Sequence, residues 1–428
     1  MNRKDLIKDL IIELPVKSEI IPRDFDIPLD TGKIITLTGV RRCGKTYLLH
    51  YLIQKLLNSG INKKNIVFIN FDDERLNLKS EELDLIIQAY NELYPENDPK
   101  NTYFFFDEIQ NIDNWEKFVK RIYENYSKKI FLTGSNSYFL SSDIATSLRG
   151  RNINYEVYPV NFKEYLKFKN IKPDLYGSKN RAKIISAFDN YLFNGGFPET
   201  INYDDDLRDK TLQSYFFVML YKDLIERYDI SNPKMLKYFL ERLIANISST
   251  TSINKIFNEM KSNGFSVSKD TLYSLTEKAQ HIYFSFQLYK FDKSLIKRNS
   301  ADKKNYIIDN GLVNSITYKF SNDKGKLLEN LLFIHLNNKY SGNLFFLKNS
   351  YELDFVCMDK DKPVELVQAA YDIKDQKTLK REIKALEKAS QSLHCENCKI
   401  ITGYDTDETI SSETKVEIIP AYKYLLEK

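Results

Sequence analysis

Apolar positions in the first 170 or so residues follow two spacings in turn. Short, mostly apolar runs at Lys33–Thr38, Asn65–Phe71, Thr102–Asp107, Lys129–Thr133 and Asn154–Tyr158 read as strands. Between them apolar residues recur every third or fourth position, over Gly44–Leu57, Glu81–Leu93 and Trp115–Tyr126, which predicts helices. Strands alternating with helices imply a parallel sheet with helices on both faces. The run Tyr103-Phe104-Phe105-Phe106 is apolar throughout, as a central strand covered on both faces requires.

The pattern then changes. From Lys169 to Ile230 the chain reads helical, broken at Gly195-Gly196-Phe197-Pro198. Ser252–Ser262, Ser268–Gln280 and the β-like run His281–Leu288 follow in the order helix, helix, wing, which is that of a winged helix-turn-helix. From Ile307 onward mixed α/β character returns. Helices are expected at Lys326–Asn338 and Thr378–Ser390, and strands at Asn343–Lys348, Leu353–Met358, Val364–Ala369 and Lys399–Thr402. These shifts divide the chain into residues 1–168, 169–300 and 301–428. No internal repeat or low-complexity linker interrupts them.

Composition narrows the class without naming a partner. The chain has 428 residues, enough for several domains, with 42% hydrophobic and 29% charged residues, as in ordinary globular proteins. A net charge of +4 is too weak to argue for nucleic acid by itself. No run approaches the roughly 20 apolar residues of a membrane span. Residues 1–14 alternate charge with aliphatics, which reads as an amphipathic helix on the first domain and not as a signal peptide. A cytoplasmic protein with no membrane partner is expected. Cys395 and Cys398 form a lone C-x-x-C beside His394, with no second ligand pair nearby, so an ordinary loop is favoured over a metal or redox site.

The chemistry is concentrated in the first domain. Gly39-Val40-Arg41-Arg42-Cys43-Gly44-Lys45-Thr46 matches G-x-x-x-x-G-K-[ST], between a strand and a helix. In such a loop the backbone N–H groups curl around phosphates and the helix N-terminus adds its positive end. Lys45 is expected at the β- and γ-phosphates of ATP, Thr46 at Mg2+, and Tyr47 completes the nucleotide-contacting set. Asp107 and Glu108 end the apolar strand, beside the phosphate crevice. Asp107 is expected to hold Mg2+, and Glu108 to act as general base on the attacking water. The next strand ends Leu132-Thr133-Gly134-Ser135-Asn136, which makes Ser135 and Asn136 candidates for contact with the γ-phosphate and water. Ser147-Leu148-Arg149-Gly150-Arg151 follows. Arg149 or Arg151 is read either as a transition-state arginine, in cis or across a subunit interface, or as a surface or docking residue.

With these motifs in hand, the chain resembles the archaeal and bacterial AAA+-related P-loop ATPases that carry a C-terminal restriction-endonuclease-like domain. The resemblance rests on the phosphate loop, on Phe106-Asp107-Glu108-Ile109-Gln110, Leu132-Thr133-Gly134-Ser135 and Ser147-Leu148-Arg149-Gly150-Arg151. It continues through Gly195-Gly196-Phe197-Pro198-Glu199 and Asp223-Leu224-Ile225-Glu226-Arg227-Tyr228. It implies an α/β AAA+-like ATPase domain, then a helical, winged-helix region, then a small α/β nuclease-like domain. A metal-dependent nuclease of that type needs an acid on a helix, an acid on a strand, and acid-x-Lys on the next strand. Glu329 and Asp354 supply the first two, but Gln368 and Ala370 stand where the second acid and the lysine belong. A nuclease fold without cleavage is the favoured reading. The expected function is hydrolysis of ATP with Mg2+, coupled to movement of the C-terminal modules. The alternatives are a nucleotide-gated DNA-binding switch with negligible turnover and an ATP-regulated nuclease. DNA, a second copy of the chain and a protein partner are the partners considered.

Overall fold

A computed structural model describes residues 2–15, 20–137, 150–317, 323–404, 408–411 and 414–427. The chain forms two compact units. One comprises Met1–Tyr158 with the short segment His281–Tyr283, and the other Pro159–Gln280 with Phe284–Lys428.

Unit 1 is built on five parallel strands, β1 (Ile34–Thr38), β2 (Ile66–Asn70), β3 (Tyr103–Asp107), β4 (Ile130–Gly134) and β5 (Asn152–Glu156), in the order β2-β3-β4-β1-β5. This parallel sheet with flanking helices is the P-loop AAA+ fold. All five residues of β3 are buried, and Phe105 stacks on Phe131 of β4 at 4.7 Å between ring centroids. Helix α1 (Arg3–Glu13) packs Ile7 and Ile11 into the same core as α3 (Asp84–Leu93) and α4 (Trp115–Asn125). Helix α2 (Lys45–Asn58) starts directly after the glycine loop. Because the sheet is parallel, every loop leaving a strand's C-terminal end opens on the same edge, and that edge gathers the functional side chains.

Unit 2 begins with helices α5 (Phe162–Phe168), α6 (Ser178–Asn194) and α7 (Asp205–Val218), and the last runs into a π-helical segment, Met219–Glu226. Then come α8 (Pro233–Ala245), β6 (Ser249–Thr251), α9 (Ile253–Ser262), α10 (Lys269–His281), β7 (Ser285–Lys290), α11 (Leu295–Ser300) and β8 (Lys303–Ile307). After α12 (Asn310–Ile316) and α13 (Lys324–Lys339) follow β9 (Leu344–Lys348), β10 (Glu352–Asp359), β11 (Lys362–Ala369), α14 (Gln376–Leu393), β12 (Cys398–Thr402), β13 (Glu408–Ser411), β14 (Lys415–Pro420) and α15 (Ala421–Tyr424). The strands join in one sheet of nine, in the order β13-β14-β12-β11-β10-β9-β7-β8-β6. The stretches 169–300 and 301–428 therefore share a sheet, through the parallel pairing of Tyr289 and Lys290 with Phe345 and Phe346.

The glycine pair that breaks the helical stretch is explained by close packing. A Cβ on Gly195 would lie 2.0 Å from Asp309 Oδ1, at φ +73°, and one on Gly196 would lie 2.4 Å from the Val160 carbonyl oxygen. Asp309 in turn accepts hydrogen bonds from Gly196 N (2.7 Å) and Leu312 N (3.1 Å). Gly195→Ala therefore collides with a buried carboxylate whose partners hold it in place. The expected loss is about 2 kcal/mol or more, read as a lower urea midpoint at unchanged slope. An unchanged midpoint would show that Asp309 yields freely.

Candidate functional site

At the C-terminal edge of the unit 1 sheet, four elements bring together the residues picked out in the sequence. The phosphate loop leaves β1 at Gly39, where a Cβ would stand 2.0 Å from the Val157 carbonyl oxygen, so glycine is required by close approach. Arg23, almost fully buried, donates to the carbonyl oxygens of Cys43 (2.8 Å) and Tyr158 (2.9 Å) and so ties the loop to the end of the β5 segment. Lys45, 4% exposed, donates through Nζ to the carbonyls of Gly39 (3.0 Å) and Val40 (3.1 Å). The same ammonium lies 3.5 Å from Glu108 Oε1.

Asp107 sits between two hydroxyls. Thr46 Oγ1 donates to its Oδ2 (2.8 Å) and Thr133 Oγ1 to its Oδ1 (2.5 Å). Burial, with the Glu108 charge beside it, pushes the Asp107 carboxyl up to about 6. Glu108 has left-handed backbone (φ 51°), a conformation costly for a non-glycine residue and held here by its N–H donating to Thr133 Oγ1 at 2.8 Å. Burial works against its charge, but Lys45 and Arg41 outweigh it and keep the carboxyl below its usual range. Gln110 Nε2 donates to Glu108 Oε2 (2.5 Å) and stands 3.5 Å from Ser135 Oγ. Ser135 and Asn136 are buried at the end of β4, Ser135 beside this pair. Arg41 and Arg42 lie within the loop and the half-exposed Tyr47 directly follows it, and the Cys43 thiol is buried and pushed up by burial. Sequence reasoning missed Thr133, Gln110 and Arg23 as parts of this site. The first two lie inside motifs already noticed, whereas Arg23 carries no local signal.

The arginines divide. Arg149 lies outside the described residues. Arg151 precedes Asn152, which pairs with Ile34 at the start of β1, so it stands at the opposite end of the sheet from Gly39. It pairs with Glu124 (2.7 Å) and stacks on Tyr123 (5.2 Å to the ring centroid). That placement corrects the in-cis transition-state role for Arg151, because a strand's length separates it from the loop.

A second polar cluster lies in unit 2. Glu329 on α13 and Asp354 on β10 do come together, and a lysine stands between them. It is Lys304, from β8. Its Nζ is 2.7 Å from Asp354 Oδ1, 3.1 Å from Glu329 Oε1 and 3.2 Å from Glu352 Oε1, and it is 3% exposed. Burial opposes the ammonium charge, but Asp354 and Glu329 raise its pKa above the ordinary value. Tyr306, on the same face of β8, donates to Glu329 at 2.8 Å. Gln368 accepts from Asp354 N (3.2 Å), and Ala370 packs in the apolar core. Lys348, by contrast, is half exposed and 3.8 Å from Glu352. Cys395 and Cys398 are free, buried thiols, and no metal-ligand cluster occurs among the described residues. Nor is any described helix long and apolar enough to cross a membrane.

The ion-pair cluster makes a stability prediction. Lys304→Met leaves two buried carboxylates without their cation, a loss of about 3–5 kcal/mol if both stay charged. Glu329 relieves part of it by taking a proton, since burial and Asp354 already raise its carboxyl. The expected loss is therefore about 2 kcal/mol in urea unfolding at neutral pH, recovered in part by adding Glu329→Gln. No recovery would mean the lysine acts through packing alone.

Comparison with known proteins agrees with this geometry. Residues 31–166 match the family described as "AAA domain", and residues 185–323 match a domain of unknown function, DUF8612. The uncharacterized protein MJ1544 of Methanocaldococcus jannaschii is 37% identical over 100% of this chain and 96% of its own. The chain belongs to the same family as that protein. An uncharacterized protein of Haemophilus influenzae is 30% identical, over 80% of this chain and 84% of its own. Among solved structures, the Thermotoga maritima RuvB Holliday junction branch migration motor aligns over 60% of this chain and 82% of its own, with a TM-score of 0.27 and 15% identity. The Aeropyrum pernix ORC1 protein in complex with DNA aligns over 74% and 91%, with a TM-score of 0.28 and 10% identity. The family match establishes an AAA-type domain, in a family whose cited members are themselves uncharacterized.

Proposed function

We propose that unit 1 binds ATP with Mg2+ and hydrolyses it to ADP and phosphate. The observation that carries this reading is the pairing of the Glu108 carboxylate with Lys45 Nζ at 3.5 Å, beside Asp107 and Thr46. The residues present fit both groups. The glycine cradle, Lys45 and the start of α2 suit a triphosphate, and the Thr46 hydroxyl with the Asp107 carboxylate is a hard-oxygen pair suited to Mg2+. Mg2+ held by Thr46 and Asp107 would supply neutralisation of the phosphate charge. Lys45 would offer its ammonium to the phosphate oxygens. Glu108, held ionised by Lys45 and Arg41 and oriented by Gln110, takes the proton of the attacking water, and Ser135 and Asn136 help position that water. A nucleotide-gated switch would use the same cradle without turnover. Steady-state phosphate release with Mg2+, against a chelator control, separates the two. Tight ATP binding with no release would favour the switch.

In unit 2, the order α8, β6, α9, α10, β7, β8, with the strands arranged β7-β8-β6, supports a winged helix. Its α10 is a poor duplex reader, because Lys269 sits over the Phe257 ring and Lys278 over Tyr228, leaving Tyr273 as the exposed aromatic. One observation favours a second activity. Lys304 supplies, from another strand, the cation that β11 lacks beside Glu329 and Asp354. On that reading unit 2 cleaves phosphodiesters, and plasmid nicking in Mg2+ or Mn2+ disappears with Asp354→Asn. Absence of nicking by the unaltered protein would leave the cluster as an ion-pair lock.

A further inference from the structure

We propose that unit 2 binds single-stranded nucleic acid in the cleft between β7, β9 and α11, one or more unstacked bases entering the cleft while the wing, here the β7–β8 connection of residues 291–302, holds the phosphates. The proposal is independent of ATP hydrolysis and of the Lys304 cluster. Two separate observations point to the same ligand.

The first is the cleft. It has a volume of about 350 Å³, and aromatic and amide side chains stand among the residues that line it. Phe286, Tyr289 and Phe345 are half buried along it, and Gln280, Gln287 and Asn337 stand among them. Tyr289 and Phe345 pair across β7 and β9 and share one face of the sheet with Gln287, whereas Phe286 lies on the other face beside Phe333. Flat apolar faces with side-chain amides suit a heteroaromatic ring that must both stack and hydrogen-bond, and the volume falls in the range of about 300–1,000 Å³ usual for ligand pockets. A base within a duplex is already stacked and paired, so only an unpaired one can enter.

The second is charge. From Lys290 to Lys303 the chain carries five Lys/Arg against two Asp, a net +3 in a chain whose total is +4. Lys293 and Lys297 are exposed on the wing. Arg298 joins the two features, because it lines the cleft and its guanidinium lies 5.3 Å from the Phe345 centroid. Lys303 lies 4.4 Å from the Tyr289 centroid. Leu295 (63% exposed) and Ile296 (82% exposed) stand on the same short helix. Cations on the rim of an aromatic cleft match a polyanion that carries aromatic rings. An acidic protein segment would match the charge but not the stacked amide-and-aromatic walls.

The experiment is fluorescence anisotropy with the full-length protein, without nucleotide, against a labelled oligothymidylate of about 20 nucleotides. The comparisons are an abasic strand of the same length and a blunt duplex. The oligothymidylate should bind at least about tenfold more tightly than either, since stacking is worth about 1–3 kcal/mol per base. Affinity should fall steeply between about 50 and 200 mM salt. Lys293→Glu with Lys297→Glu, both on the exposed wing, should weaken every strand by about tenfold or more. Phe345→Leu should lose the preference for thymidine over abasic sites while its thermal unfolding stays near that of the parent. Equal binding of abasic and thymidine strands, preference for the duplex, or displacement by polyglutamate as effective as by the oligonucleotide would each overturn the proposal. So would no binding at low salt.

Discussion

On the proposed mechanism, Glu108→Gln is expected to lower ATP turnover by about 10²–10³-fold and to leave ATP affinity within about threefold of the parent. Glutamine keeps the volume and can still accept from Gln110, whose Nε2 donates to Glu108 Oε2. What it loses is the basic lone pair. The substitution also removes a charge that raises Asp107, so the Asp107 carboxyl falls toward its ordinary range and Mg2+ requirement should not rise. Asp107→Asn behaves in the opposite way. One of its two positions now presents an NH2 group to a hydroxyl, Thr46 or Thr133, that donated to a carboxylate oxygen. The Mg2+ concentration for half-maximal rate should then rise about tenfold or more, while turnover at saturating Mg2+ falls less than in Glu108→Gln. Phosphate release titrated with ATP and then with Mg2+ reads both effects. Equal defects in both titrations would show that the two acids do not have separate roles.

What could be read from residues alone was whatever local spacing determines. The phosphate loop was legible because its glycines and lysine must fall at fixed intervals between a strand and a helix. β3 was legible because a strand buried on both faces has no polar position until it ends, and it ends in the acids of the site. The N-terminal helix was legible from its aliphatic stripe, and Ile7 and Ile11 are the residues it buries. Features set by partners far along the chain were not. Lys304 sits in a five-residue strand that opens with two lysines, a pattern that reads as exposed charge, and its three acidic partners lie on α13 and β10. The Gly195-Gly196 break was visible, but its cause, Asp309, is 113 residues from Gly196. Arg151 shows the converse. Its residue type fits transition-state chemistry, and only the register of β5 against β1 places it at the wrong end of the sheet. Arg23 is further still from any pattern, since it acts on backbone carbonyls that every residue has.

On the same mechanism, Lys45→Ala is expected to lower hydrolysis by about 10³-fold or more and to weaken ATP binding by about 10²-fold. Two effects add. The first is removal of the only ammonium that the described residues place within 4 Å of Glu108. The β- and γ-phosphates then meet Asp107 and Glu108 with less opposing charge on the protein side, in a site where both acids are buried and repulsion is poorly screened. The second acts on the base itself. Lys45 is the largest of the influences that hold the Glu108 carboxyl ionised against burial, so without it the carboxyl rises and the fraction able to accept a proton at neutral pH falls. Lys45 also lowers Asp107, so both acids rise without it, and residual turnover should increase with pH across the neutral range more steeply than in the parent. ADP, which lacks the γ-phosphate, should lose less affinity than ATP. Lys45→Arg keeps the charge but cannot place a compact ammonium between the two loop carbonyls and Glu108, and it should restore part of the ATP affinity with little turnover. Calorimetric binding of ATP and ADP, alongside phosphate release over pH, gives each of these quantities. Hydrolysis at the parental rate in Lys45→Ala would remove the phosphate loop from the mechanism, and equal losses for ATP and ADP would place the lysine away from the γ-phosphate.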